Sequence, residues 1–261
     1  MTTAVIPCGG RGTRVASLGG AVPKELLRVA GKPLLQWTLE EAAAAGIERV
    51  VVVTSPVKPQ IARFLSDGAP VRPSAIVVQP EPRGLGDAVT CARAAAGTDT
   101  IAVLLPDNLF RGPPGYPIAR VLDAQRRTGS AAVLLAEIRT SEAATKGPTG
   151  RVRYRLRPDG LCDVLAVAPK GPKGAHFDPG GSPAAVTPIG RMVFDASVFE
   201  LFEAERRRLP PGAELDDVPV LQHLAAAGRL IGVLHTAEFF DAGVPEGYRA
   251  ALAAHRHGAY P

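Results

Sequence analysis

The chain has 261 residues, of which 46% are hydrophobic, which is enough to bury a substantial core and argues against a disordered protein. A formal net charge of +5 suits phosphorylated small molecules as well as nucleic acid or a membrane surface. With one Trp, four Tyr and eight Phe no stacking platform for bases is visible, and neither a signal segment nor a membrane-spanning apolar run is present. We therefore expect a cytoplasmic protein with no nucleic-acid or membrane partner.

Strands and helices alternate through the first half of the chain. Buried apolar runs such as Arg49–Thr54 predict strands of a parallel sheet, and apolar residues near helical spacing predict helices between them. We predict strands over residues 2–8, 49–54, 75–79, 100–105 and 131–138, and helices over residues 33–45, 60–65, 85–96 and 118–127. Such a series folds into a mainly parallel sheet with helices on both faces, and ligands bind beyond the carboxyl ends of its strands.

The second half has a different pattern. Residues 150–156 and 161–167 predict a hairpin, and a Gly/Pro-rich loop follows over residues 170–183. We predict further strands over residues 187–194 and 230–235, helices over residues 197–207, 217–227 and 245–255, and a loop over residues 239–243. The cluster Arg206, Arg207 and Arg208 ends one of these helices, where we expect a solvated face.

These patterns together predict an α/β fold class. We expect a three-layer α/β/α sandwich with a Rossmann-like, mixed but mainly parallel sheet. A small β-rich insertion over residues 150–186 would cover one side of the ligand site.

A glycine-rich loop, Gly9-Gly10-Arg11-Gly12-Thr13-Arg14, directly follows the first predicted strand. Glycines there let the backbone approach an anion closely and turn its N–H groups inward. Arg14 and Lys24 add the positive charge that phosphoryl transfer requires, since that chemistry rests on positioning and charge neutralisation. The loop is not a Walker motif, because no Gly-Lys-Ser/Thr follows it, and it lacks the dinucleotide fingerprint. The sequence therefore predicts a phosphate-binding loop.

Further short motifs make the chain resemble the sugar-1-phosphate nucleotidyltransferases over nearly its whole length. It is most similar to the bacterial UTP–glucose-1-phosphate uridylyltransferases, and it has features of the glucose-1-phosphate thymidylyltransferases. The uridylyltransferase-like motifs are Pro23-Lys24-Glu25, Lys32-Pro33-Leu34, Gly84-Leu85-Gly86-Asp87-Ala88-Val89, Leu105-Pro106-Asp107 and Gly190-Arg191. The thymidylyltransferase-like motifs are Gln79-Pro80-Glu81-Pro82-Arg83-Gly84-Leu85 and Asp107-Asn108-Leu109-Phe110.

The resemblance implies roles for residues around the glycine-rich loop. It implies that the nucleotide is lined by Gly9, Gly10, Gly12 and Thr13. The catalytic cations Arg14 and Lys24 would neutralise the triphosphate as pyrophosphate leaves. Gln79 would read the base, because a carboxamide offers both a donor and an acceptor to uracil or thymine. The Gly84 N–H would help to hold the same ring.

Two acidic residues are the implied metal ligands. Asp107 ends a buried strand, where an unpaired carboxylate is costly unless it serves a purpose. Asp241 lies in a Phe-Asp-Ala-Gly segment before a helix. Together they would hold Mg²⁺, which prefers oxygen ligands and substrate phosphates.

The sugar side departs from the family pattern. Gly150 resembles the glycine that lets the sugar lie against the backbone, and Lys170 is the best match for the lysine that grips the sugar phosphate. The usual Glu-Lys-Pro is replaced by Ala168-Pro169-Lys170-Gly171-Pro172-Lys173. A glutamate expected to bind sugar hydroxyls is therefore missing, and Lys173 competes with Lys170 for the phosphate.

The resemblance implies one nucleotidyltransferase domain over residues 1–261, with a nucleotide-binding half at 1–138 and a sugar-binding half at 139–261 that includes the C-terminal helix. The partners would be a nucleoside triphosphate and a sugar 1-phosphate, which react by in-line displacement with Mg²⁺ as the cofactor. The resemblance also implies a homo-oligomer. UTP and glucose 1-phosphate are favoured.

Other readings of the sequence stay open. They are a dTTP-dependent enzyme, a guanylyl or other transfer to an unusual sugar or cyclitol phosphate of secondary metabolism, and a non-catalytic nucleotide-sugar sensor. A cytidylyltransferase of the isoprenoid or surface-sugar type is disfavoured by the Gly-Thr-Arg run, by Gln79 and by the late Asp-x-Gly.

Overall fold

The structure is a computed structural model that describes residues 1–15, 18, 20, 22–172 and 174–256. Its strands are β1 (Thr2–Pro7), β2 (Arg28–Val29), β3 (Lys32–Pro33), β4 (Arg49–Thr54), β5 (Ala75–Val78), β6 (Thr100–Leu104), β7 (Asn108–Phe110), β8 (Ala131–Arg139), β9 (Val152–Leu156), β10 (Cys162–Val167), β11 (Ala184–Phe194), β12 (Leu230–Leu234) and β13 (Phe239–Asp241). Its α-helices are α1 (Leu34–Ala44), α2 (Pro59–Asp67), α3 (Leu85–Cys91), α4 (Arg93–Ala96), α5 (Tyr116–Thr128), α6 (Val198–Arg208), α7 (Val218–Ala226) and α8 (Pro245–Arg256). Short 3₁₀ turns lie at Thr13–Val15, Lys24–Leu26 and Thr140–Thr145.

A nine-stranded sheet with the order β5-β4-β1-β6-β11-β8-β12-β10-β9 forms the centre of the molecule. Within it, β11 and β10 run against all the other strands, so the sheet is mixed and mainly parallel, as predicted. The predicted β-rich insertion takes a different form. Its hairpin β9–β10 extends the sheet edge, because Cys162 and Asp163 of β10 pair with Gly232 and Ile231 of β12.

Helices cover both faces of this sheet. Alternate side chains of β1 show the division, since Ala4 and Ile6 point to one buried cluster and Val5 to the other. The first cluster packs the sheet against α1, α2 and α5, and the second packs it against α3, α4, α6 and α7. The three-layer arrangement is confirmed. None of the described helices is both long enough and apolar enough to cross a membrane.

Two details differ from the sequence-based expectation. The predicted helix over residues 85–96 is divided at Ala92 into α3 and α4. The predicted loop over residues 239–243 begins with β13, whose Phe240 and Asp241 pair with Leu109 and Asn108 of β7. This pairing is important for the site, because it brings Asp241 beside the segment that carries Asp107.

Arg191 forms a buried ion pair with Glu41. Its side chain is 1% exposed and pairs with Glu41 of α1 through Nε at 2.8 Å and Nη2 at 2.6 Å. The remaining N–H groups donate to the backbone carbonyls of Leu105, Gly190 and Asn108. All five guanidinium donors therefore have acceptors, and two of those acceptors flank Asp107.

We predict that Arg191→Met lowers the free energy of unfolding by about 3–5 kcal/mol, because the Glu41 carboxylate is left buried without its partner. Urea denaturation of the purified protein measures this change. Arg229→Met is the matched control, since Arg229 pairs with Asp195 on the surface and exposed pairs contribute about 0–1 kcal/mol. Equal losses for the two variants would show that the Arg191 network does not stabilise the fold.

Candidate active site

Two adjoining clefts open beyond the carboxyl ends of the central strands. The first cleft is lined by the loop after β1, by Gln79 after β5 and by Asp107 after β6. It includes the predicted residues Gly9, Gly10, Gly12, Thr13, Arg14, Lys24 and Gly84. The second cleft is lined by residues that include Lys146, Thr149, Lys170 and Asp241. The clefts share Arg14, Leu105 and Asp107, so Asp107 stands at their junction.

Lys24 and Asp107 form a close ion pair at this junction. The Lys24 Nζ lies 2.5 Å from Asp107 Oδ2, and the two side chains are 17% and 12% exposed. Burial favours the neutral form of each group, but their mutual attraction outweighs it. The pKa of Lys24 is raised to about 12 by the charges of Asp107 and Glu25 against the effect of burial. The pKa of Asp107 is lowered, since the charge and hydrogen bond of Lys24 likewise exceed the effect of burial.

Asp241 faces the same point from β13. Its Oδ1 accepts from the Gly243 N–H at 2.9 Å and its Oδ2 accepts from the Gly147 N–H at 2.7 Å. Burial raises the pKa of Asp241, and the negative charge of Asp107 raises it further. A Cβ atom at Gly243 would lie 2.6 Å from Asp107 Oδ2 and 2.9 Å from Asp241 Oδ1. The two carboxylates thus border one small space.

This pair of carboxylates fits a hard divalent cation. Both are oxygen donors of the kind Mg²⁺ prefers, and a cation between them would relieve the repulsion that raises the pKa of Asp241. The described residues contain no cluster of three or more His, Cys, Asp or Glu side chains suited to a metal ion. A cation here would therefore complete its shell with water and substrate phosphates, as Mg²⁺ commonly does.

Arg14 carries positive charge into both clefts. Its Nη1 lies against the backbone of Gly147, where a Cβ atom would come within 2.3 Å of it. No described carboxylate lies within salt-bridge distance of Arg14, although its positive charge helps to lower the pKa of Asp107 and opposes the rise in the pKa of Asp241. Its guanidinium is therefore available to an anionic ligand between the clefts.

A second buried ion pair holds the glycine-rich loop in place, and the sequence did not reveal it. Lys58 Nζ lies 2.9 Å from both carboxylate oxygens of Glu25 and 2.8 Å from the carbonyl oxygen of Cys8. Cys8 immediately precedes Gly9, and Glu25 immediately follows Lys24. The pair thus ties the start of the loop to the turn that presents Lys24. Glu25 was visible only as part of the Pro-Lys-Glu motif.

Gln79 lines the first cleft and is buried. Its Nε2 donates to the Gly84 carbonyl at 3.1 Å and to Asp87 Oδ2 at 2.7 Å. Its Oε1 lies against Gly9, where a Cβ atom would come within 2.1 Å of it. Gly9 therefore has a packing reason to be glycine in addition to any contact with a phosphate.

Lys170 lines the second cleft but is already held by two carboxylates. Its Nζ lies 2.6 Å from Asp216 Oδ1 and 2.7 Å from Asp217 Oδ1. Burial and the neighbouring Asp217 raise the pKa of Asp216 to about 7. The pKa of Asp217 is lowered because the charge of Lys170 outweighs burial. Neither aspartate was predicted, although two adjacent acids before a helix were a visible signal.

One residue predicted on the sugar side is not brought into this cleft by the structure. Gly150 is absent from the lining of both clefts and packs behind them, where a Cβ atom would lie 2.2 Å from the carbonyl oxygen of Ala168. Its neighbour Thr149 lines the second cleft instead, and its hydroxyl accepts from Thr187 at 2.9 Å. Lys173 lies outside the described residues.

Comparison with known proteins gives a family match. Residues 3–146, more than half of the chain, match the family described as nucleotidyl transferase. The UTP–glucose-1-phosphate uridylyltransferase of Bacillus subtilis (strain 168) is 27% identical in an alignment of 268 positions that covers 94% of this chain and 87% of that protein.

Solved structures show the same fold. A UDP-glucose pyrophosphorylase complexed with UDP-glucose is similar with a TM-score of 0.82 at 22% identity, over 99% of both chains. The UDP-glucose pyrophosphorylase from Acinetobacter baumannii gives a TM-score of 0.76 at 25% identity, over 97% of this chain and 92% of that one. With its glycine-rich loop, paired acids and matching sequence, the chain belongs to the nucleotidyl transferase family.

Proposed function

We propose that this enzyme transfers the uridylyl group of UTP to glucose 1-phosphate and releases pyrophosphate. The observation that carries the proposal is the junction of the two clefts, where Arg14, Lys24, Asp107 and Asp241 meet. A triphosphate in the first cleft and a sugar phosphate in the second would bring their reacting phosphates to that junction. The relatives named UTP–glucose-1-phosphate uridylyltransferase support UTP and glucose 1-phosphate as the substrates.

The reaction is a direct displacement at phosphorus. A phosphate oxygen of the sugar 1-phosphate forms a bond to the α-phosphorus of the nucleotide. The bond from that phosphorus to the oxygen that bridges the α- and β-phosphates breaks, and this oxygen leaves as a terminal oxygen of pyrophosphate. The attacking oxygen is already anionic, so no general base and no covalent protein intermediate are needed. The chain has to position the two phosphates and offset their repulsion.

Each charged residue at the junction has a part in that task. Arg14, with no carboxylate partner in the described chain, and Lys24 would balance the charge that develops on the leaving pyrophosphate. Asp107 and Asp241 would hold Mg²⁺. When bound, the ion neutralises phosphate charge and orients the phosphate oxygens. The Glu25–Lys58 pair holds Lys24 and the glycine-rich loop in a fixed position relative to each other.

The same proposal assigns the remaining predicted residues. Residues 1–138 would form the nucleotide-binding half, with Gly9, Gly10, Gly12, Thr13, Gln79 and Gly84 around the nucleotide. Residues 139–261 would form the sugar-binding half, in which Lys170 contacts the sugar phosphate, and the same half supplies Asp241 to the metal. A homo-oligomeric assembly stays a prediction.

A pyrophosphate-release assay tests the proposed function. The purified protein is incubated with Mg²⁺ and each of five nucleoside triphosphates, including UTP and dTTP, against several sugar 1-phosphates. We expect the fastest release with UTP and glucose 1-phosphate. Fastest release with dTTP or with another sugar phosphate would contradict the proposed substrates but support nucleotidyl transfer. No release with any pair of substrates would reject the proposal.

We predict that Asp107→Asn lowers kcat by at least about 100-fold, because it removes a carboxylate from the metal pair and the ionic partner of Lys24. The same assay gives the rate, and a urea denaturation curve checks that the variant is folded. Asp123→Asn is the matched control, since Asp123 makes only an exposed pair with Arg127 on α5. A kcat for Asp107→Asn close to that of the control would remove Asp107 from the mechanism.

We also predict that the KM for glucose 1-phosphate rises with pH between pH 6 and 8. Asp216 has a raised pKa of about 7, so it is protonated below that pH and ionised above it. The ionised carboxylate competes with the sugar phosphate for Lys170, and its negative charge repels that phosphate. We expect the KM to rise by roughly 5-fold as a result.

Asp216→Asn should show a flatter KM profile than the unmodified enzyme. Titration of the substrate phosphate itself affects both enzymes equally, so the difference between the two profiles isolates Asp216. Steady-state KM values from pH 5.5 to 8.5 provide the measurement. Parallel profiles would mean that Asp216 has no influence on the sugar phosphate.

A further inference from the structure

The carboxamide of Gln79 presents one chemical group to the first cleft. Its nitrogen carries two hydrogens, and both are used inside the protein, one by the Gly84 carbonyl at 3.1 Å and the other by Asp87 Oδ2 at 2.7 Å. Gln79 lines the cleft, and no donor within the described residues reaches its Oε1. A ligand that meets Gln79 therefore finds an acceptor and no donor.

The surroundings prevent the carboxamide from turning over. Both partners of Nε2, a backbone carbonyl and a carboxylate, can only accept hydrogen bonds. Rotation by half a turn would place Oε1 against two acceptors and leave them without donors in a buried position, which is costly. The orientation of Gln79 is thus fixed by the chemistry of its neighbours.

Asp87 is itself held by Arg206 of α6. Arg206 Nη2 lies 2.9 Å from Asp87 Oδ1, and the same guanidinium donates to the carbonyls of Arg83 and Ala213. The Arg206 side chain is 30% exposed and bonded within the protein, so the expected solvated face does not extend to this arginine. Three acceptors converge on it because the end of α6 packs beside the segment that contains Gly84.

Backbone contacts around Gly84 fix the position of its carbonyl group. Gly84 has φ +101, and a Cβ atom there would lie 2.4 Å from the carbonyl oxygen of Leu215. Hydrogen bonds run from Leu215 N to Arg83 O at 2.6 Å and from Gly86 N to Leu215 O at 2.9 Å. Only glycine fits this close approach, so the carbonyl that faces Gln79 has a fixed place.

We propose that Asp87, held by Arg206, is a positioning residue that makes Gln79 an obligatory acceptor and so selects the base. Uracil and thymine carry an N–H at ring position 3 and can donate to Oε1. Cytosine carries a bare nitrogen there, which would face the oxygen without a hydrogen between them. The inference rests on the proposed function in placing a pyrimidine nucleotide in the first cleft, and it narrows the expected role of Gln79 from donor and acceptor to acceptor alone.

Nucleotide binding tests the inference independently of sugar transfer. Isothermal titration calorimetry gives the Kd of UTP and of CTP for the unmodified protein and for Asp87→Asn. Asparagine can donate as well as accept, so it removes one of the two acceptors that oppose the reversed carboxamide and leaves only the Gly84 carbonyl. We expect the unmodified protein to bind UTP at least about 10-fold more tightly than CTP, and the ratio to fall by about 5-fold or more in Asp87→Asn.

Arg206→Gln is the second variant, and it should lower the ratio in the same direction because Asp87 loses its anchor. Asp123→Asn and Arg208→Gln are the matched controls on exposed helix surfaces and should leave the ratio unchanged. A loss of UTP and CTP affinity by equal factors in both Asp87→Asn and Arg206→Gln would mean a merely structural role and overturn the proposal. Equal affinity of the unmodified protein for UTP and CTP would overturn it as well.

Failure of the inference and failure of the proposed function are distinguishable. Selective UTP binding that depends on Asp87, without pyrophosphate release, would support the inference and reject the enzyme. Pyrophosphate release with UTP, together with a Kd ratio that Asp87→Asn leaves unchanged, would support the enzyme and reject the inference.

Discussion

The Arg191 guanidinium is the interaction on which the geometry of the site depends. Burying a cation is costly unless every donor is satisfied, and here five N–H groups reach Glu41 and the carbonyls of three backbone positions. Two of these carbonyls, from Leu105 and Asn108, flank Asp107 on either side. The carbonyl of Asp107 in turn accepts from Ala242 at 2.7 Å, which places Asp241 beside it. One buried cation thus sets the spacing of both acidic residues.

The charges built on this frame are complementary to a metal-bound nucleotide. Lys24 and Asp107 balance each other, and Lys58 and Glu25 do the same beneath the loop. Asp241, with its raised pKa, favours a nearby cation, and Arg14 is available to an anion. Because Asp241 and Arg14 both line the second cleft, a magnesium–phosphate complex there would bring a cation to Asp241 and an anion to Arg14.

The sequence predicted most of the sheet because buried strands and amphipathic helices leave local periodic patterns. It also predicted the loop and Asp107, since both directly follow buried strands. Contacts between distant segments leave no such pattern. Asp87 contacts Arg206, which is 119 residues away in the sequence, and Lys170 contacts Asp217, which is 47 residues away. Similarly, β13 pairs with β7, although its three residues were predicted to belong to a loop. Gly150 illustrates the opposite error. In the sequence, a glycine that is required by close backbone packing cannot be distinguished from a glycine that contacts a ligand.

The most direct test of the central claim is the fate of label from UTP carrying ³²P at either the α- or the γ-phosphorus, incubated with glucose 1-phosphate and Mg²⁺. Nucleotidyl transfer predicts that the α-label appears in the nucleotide sugar and the γ-label in pyrophosphate. If the γ-label appeared in a sugar bisphosphate, or if neither label left UTP, the junction around Asp107 would not be a nucleotidyl-transfer site.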